Sequence, residues 1–82
     1  MAKHSHSFVE TFDGMIGYGL ERQTDEDTLQ VYLQKFSDDD VMKTILTRMT
    51  DDDLAAVFDL VSRMLGKYLT DAEYHRLFLK DD

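Results

Sequence analysis

The sequence contains no cysteine, no proline and no tryptophan, and only four glycines. Without cysteine there is no disulfide and no thiolate metal site, so the fold must hold by packing alone or with help from another subunit. Without proline, breaks between elements have to be made by capping chemistry and not by a missing N–H. Long apolar runs are lacking too. None approaches the roughly 18 residues that span a bilayer, and the opening MAKHSHSF lacks the apolar segment of a secretory signal. The expectation is a cytoplasmic protein with no membrane partner. Positive charge is the scarce sign: nine Lys plus Arg against seventeen Asp plus Glu leave −8 at pH 7. That charge repels a phosphate backbone at every distance beyond contact and argues against direct nucleic-acid binding.

What remains is a helical pattern. From Thr50 to Leu69, Leu54, Val57, Phe58, Val61, Met64, Leu65, Tyr68 and Leu69 recur at three- and four-residue steps, one apolar stripe on a 3.6-residue period. Thr50 is its expected cap, with Asp53 three residues on. Upstream, TDEDTLQVYLQKF and SDDDVMKTILTRM repeat the same opening of a hydroxyl residue and three acids, at a 13-residue step. Leu29, Tyr32, Leu33 and Phe36 form one stripe; Val41, Met42, Ile45, Leu46 and Met49 form the next. A straight helix through Ser37 would turn the second stripe about 140° from the first, so breaks are expected at Ser37 and again at Thr50. Ser7 and Glu10 have capping-box spacing ahead of Phe8, Phe12, Met15, Ile16 and Leu20, with Gly14, Gly17 and Gly19 set to end that helix near Gly17 or to admit a close neighbour. A last short helix opens at Thr70 and carries Tyr74, Leu77 and Phe78. The expected fold is all-α: about five short helices around a longer central one, a single domain over 7–80 behind a flexible arm over 1–6.

The acids fall mostly in first turns, facing the positive end of the helix dipole, and Lys35, Arg48 and Lys67 fall near helix ends. Asp39 with Lys43 and Asp59 with Arg63 are spaced as i,i+4 pairs. Consecutive aspartates in one turn point in different directions, and neither triplet has the alternating oxygens, central Gly and terminal Glu of a calcium loop, so capping is the reading. His4 follows Ala2 and Lys3, a set that would wrap Cu(II) or Ni(II) if Met1 were removed, but the plainer reading is incidental histidines in an arm. Asp71 and His75 read as a polar helix pair. The glycine run has the wrong order for a dinucleotide fingerprint and follows no strand. Ser62 and Gly66 make a second thin surface, expected to meet the first glycine run within the chain or across a dimer. No G-x-S-x-G or cysteine supplies a nucleophile.

The expectation is therefore no enzyme and no cofactor or metal, but a protein–protein interaction or regulatory module, with a homodimer as one assembly. Its contact surface would be Phe8, Phe12, Ile16 and Tyr18 together with Tyr74 and Phe78, more aromatics than so small a core should hide. The alternative is a nucleic-acid mimic whose ordered carboxylates fill a basic cleft on a DNA- or RNA-handling protein.

Overall fold

The computed structural model describes residues 3–81. Five helices follow one another among them, with no strand: α1 (Ser7–Thr11), α2 (Arg22–Phe36), α3 (Asp39–Leu46), α4 (Asp51–Tyr68) and α5 (Asp71–Glu73), the last running on as a wider π-helical turn over Tyr74–Leu79. The all-α expectation is met. The chain divides into two compact units, Met1–Arg48 and Met49–Asp82, within the span read from the sequence as one domain.

In the first unit, α1 is shorter than its apolar spacing predicts. It ends with Phe12 extended (ψ 124°), two residues before the first glycine. The stretch from 12 to 21 is irregular and is bound to α2 instead. Gly17 donates its amide to Thr28 Oγ1 (2.9 Å), the same hydroxyl donates back to the Gly17 carbonyl (3.2 Å), and Gly19 donates to Asp25 Oδ1 (2.7 Å). At Gly19 the backbone stands at φ 93°, the region where only a residue without Cβ sits at ease. Helix α2 starts at Arg22, two residues before the expected cap. Thr24 is buried in its first turn and donates to Glu21 Oε1 (3.1 Å) in place of capping.

The buried face of α2 is Thr24, Thr28 and Val31, steps of four and three, closing with Val9 of α1. This corrects the stripe read from the sequence: Leu29, Leu33 and Tyr32 are exposed, Tyr32 by 65%. Two threonines take the inner face because their hydroxyls have polar partners in the facing loop, and a buried hydroxyl with partners costs little. The break at Ser37 is present, but the α3 cap position falls to Asp38, whose side chain makes no cap bond.

In the second unit Thr50 and Thr70 both cap their helices as read, but only Thr70 completes a capping box. Thr50 Oγ1 accepts from the Asp53 amide (3.1 Å). Thr70 makes a full capping box, its hydroxyl accepting from the Glu73 amide (3.2 Å) while the Glu73 carboxylate accepts from the Thr70 amide (2.9 Å). The chain then closes in a left-handed turn at Lys80 (φ 61°). No residue of α4, α5 or the π-turn is buried. All buried positions among the described residues (Val9, Thr24, Thr28, Val31 and Asp38) lie in the first unit. The centre of burial is thus the inner face of α2 and not the longest helix, whose stripe is exposed.

Candidate functional site

Two places in the molecule concentrate chemistry, one in each unit. The first is the junction of α2 and α3, where the arm over residues 3–6 is tied down. Asp38 is buried there, and its two carboxylate oxygens accept from the Ser5 amide (2.6 Å) and the His4 ring at Nδ1 (2.8 Å). Glu10 takes the two amides before them, Lys3 at 2.8 Å and His4 at 3.0 Å, and lies 3.8 Å from His4 Nε2. His6 Nε2 stands 2.8 Å from Ser37 Oγ. The Ser5 amide, then the Ser5 hydroxyl and the His4 ring, hold the Asp38 carboxyl down at about 2, against an opposing push from burial.

This arrangement is a clasp in its chemistry. His4 Nδ1 is bonded to Asp38, and Nε2 stands 3.8 Å from Glu10, beyond hydrogen-bond distance. The Lys3 and His4 amides and His4 Nδ1, which a Cu(II) or Ni(II) site at this arm would need, are all engaged with Glu10 and Asp38; Ala2 lies outside the described residues. Glu10 serves the arm, and the N-cap of α1 falls to His6, so the Ser7 capping box does not form. An open cleft of about 490 Å³ borders the clasp, lined by Lys3, His4, Ser5 and the acids Asp38, Asp39 and Asp40 with Val41.

The second place is the apolar face of α4 with the chain that follows it. Leu54, Val57, Phe58, Val61, Met64 and Tyr68 are all exposed, Phe58 by 72% and Tyr68 by 68%, and Leu65 is half-buried. Beyond Thr70, Tyr74 and Phe78 stack with ring centroids 5.2 Å apart and planes 15° from parallel. His75 Nδ1 bonds Asp81 (2.9 Å) and not Asp71, the partner expected from helix spacing, because the π-turn brings Asp81 back under its own amide bond to the His75 carbonyl. Gly66 faces open space, where an added Cβ would meet no atom within 4 Å. Gly14 and Gly17 make room for their own loop: added Cβ atoms would meet the Phe12 ring and Leu20.

The residues named from sequence as a contact surface fall in both units. Phe8 and Phe12 are half-buried and stacked on each other at 5.2 Å. Ile16 and Tyr18 lie exposed in the loop before α2, off any helix, Tyr18 by 74%. Tyr74 and Phe78 belong to the second unit. Among the described residues no three His, Asp or Glu side chains converge as a metal would require. The one acid–base pair at helix i,i+4 spacing among them joins Arg22 and Glu26, not Asp39 with Lys43 or Asp59 with Arg63. No helix among the described residues is long and apolar enough to cross a membrane. No protein-family model, curated protein or solved structure matches the chain.

Proposed function

We propose that this chain is a non-enzymatic protein–protein interaction or regulatory module, and that it binds through apolar helix faces of its second unit. The observation that carries the reading is the contrast between the units. The first buries its own small core around Val31. The second presents Leu54, Val57, Phe58, Val61, Met64 and Tyr68 on one side of α4, with no buried residue of its own among the described ones. A contiguous apolar face of that extent, rimmed by Asp51, Asp52, Asp53 and Lys67, has the make-up of an interaction site. Three of the four acids of α4, Asp51, Asp52 and Asp53, sit in its first turn, where the dipole accounts for them, so they lend the nucleic-acid-mimic reading no separate support.

Affinity capture with the wild-type chain and with Phe58→Asp and Tyr68→Asp variants, at low and high salt, tests this. The expected result is a binding partner held at both salts by the wild type and released by either variant. Binding that falls steeply with salt and ignores Phe58 would move the assignment to the mimic.

A further inference from the structure

We infer that the occupant of the α4 apolar face is a second copy of this chain, laid antiparallel across it; this rests on the interaction reading above and names the partner. The face consists of Leu54, Val57, Phe58, Val61, Met64, Leu65 and Tyr68. Val61 stands at the middle of the face, seven positions from Leu54 and seven from Tyr68. A two-fold axis at Val61, with like edges of the stripe meeting, sets Leu54 of one copy near Tyr68 of the other, Phe58 against Leu65 and Val57 against Met64. The same patch then meets itself in both copies, which makes the contact isologous and closed.

Charge selects the direction. The N-terminal half of α4, residues 51–59, carries Asp51, Asp52, Asp53 and Asp59 with no base, and the C-terminal half, residues 60–68, carries Arg63 and Lys67 with no acid. Parallel copies would set acid on acid with dipoles aligned. Antiparallel copies set the acidic half of each against the basic half of the other and oppose the dipoles. Asp53 and Lys67, fourteen positions apart, lie on the same edge of the stripe at about 100° per residue, and like edges meet in an antiparallel pair. Each therefore borders its opposite in the second copy.

The face offers large apolar area to cover, with Phe58 exposed by 72% and Tyr68 by 68%, toward the roughly 800 Å² per partner of a standard interface. The second unit has no core of its own, with neither cysteine nor a buried residue in its helices, and a chain under about 40 residues usually needs a disulfide, a metal or another subunit to stand.

The test uses the full chain. Sedimentation equilibrium is expected to give twice 9.6 kDa and a mass that falls on dilution. Since the chain has no cysteine, single thiols report the arrangement: Val61→Cys, at the axis, forms a disulfide-linked dimer under mild oxidation, and Leu54→Cys does not. Lys67→Glu weakens association roughly tenfold, and adding Asp53→Lys to the same chain restores it. A monomer at every concentration with Val61→Cys unlinked overturns the inference, as does Leu54→Cys linking as readily as Val61→Cys. If the monomer still binds a different protein that Phe58→Asp releases, the second copy is excluded and the interaction reading stands. If Phe58→Asp changes no binding of any kind, both fall.

Discussion

Asp38 and His4 are 34 positions apart in the chain and 2.8 Å apart in the fold, joined carboxylate to imidazole. With the Ser5 amide on the other oxygen of the same carboxylate, the pair ties the arm over residues 3–6 to the α2–α3 junction. The tie is electrostatic at its centre and so depends on pH. The Asp38 carboxyl is held at about 2 against an ordinary 3.8, so the folded state prefers it ionised. Its contribution is complete above about 3.8 and is lost as the pH falls toward 2. Asp38→Asn removes this dependence. The check is an acid titration followed by NMR: the Ser5 amide is expected to lose exchange protection over that window in the wild type, and in the variant, whose amide oxygen still accepts, to keep a weaker protection that does not change across it.

At Val31 and Tyr32, adjacent residues carry opposite weight. Val31 is one of two buried apolar side chains among the described residues, and Tyr32 stands 65% exposed. Val31→Ala is expected to cost about 2 kcal/mol, by lost transfer energy and the cavity left behind. Tyr32→Ala should stay within about 0.5 kcal/mol. Urea denaturation of the two variants measures both, and equal losses would mean that the exposed stripe of α2 is packed.

This pair also marks where the sequence was legible. Element boundaries at Thr50 and Thr70 could be read because capping is local, with donor and acceptor within three residues; the chain also breaks at Ser37, but no cap bond opens α3 there. Which face of α2 turns inward could not be read by hydrophobicity. Leu29, Tyr32 and Leu33 are more apolar than Thr24 and Thr28, yet the threonines are inside because Gly17 and Glu21 offer them partners. The clasp of His4 on Asp38 was equally hidden, since nothing local links positions 34 residues apart. The stripe of α4 is visible in full from its spacing, but its role is not: a pattern suited to a core is also the pattern of a surface that another helix covers.

Thr28 should prove more costly to replace than its exposed neighbours. Its hydroxyl both accepts from the Gly17 amide and donates to the Gly17 carbonyl, so Thr28→Val keeps the shape and leaves those part-buried backbone groups without their partner. The expected loss is about 1 to 3 kcal/mol, the penalty for stranding backbone polar groups. Thr28→Ser, which keeps the hydroxyl, should recover most of it in the same urea titration.

The capping box at Thr70 sets the start of the last helix. Thr70→Ala is expected to cost about 1 kcal/mol, read as a loss of helicity by circular dichroism. Its pH dependence has the same sign as at Asp38. The Thr70 amide, then the Thr70 hydroxyl, lower the Glu73 carboxyl below its ordinary 4.5, so the box is intact above that value and opens as the pH falls below it. Glu73→Gln removes the titration and keeps an acceptor for the Thr70 amide.

Two glycines should respond in opposite directions to the same substitution. Gly66 lies in the interior of α4, and a methyl added there would find no atom within 4 Å. An alanine lowers the conformational freedom of the unfolded chain without meeting an obstacle. Gly66→Ala is expected to stabilise by about 0.5 to 1 kcal/mol. Gly19 is equally free of neighbours, but its φ of 93° is a conformation that a Cβ disfavours whatever the space around it. Gly19→Ala should therefore destabilise by about 1 kcal/mol or more, and should also disturb the amide bond from Gly19 to Asp25 at the start of α2. Thermal melts of the two variants separate backbone strain from crowding, since neither site is crowded. Because Gly66 lies outside the stripe centred on Val61, its alanine variant should raise the melting temperature and leave the self-association unchanged.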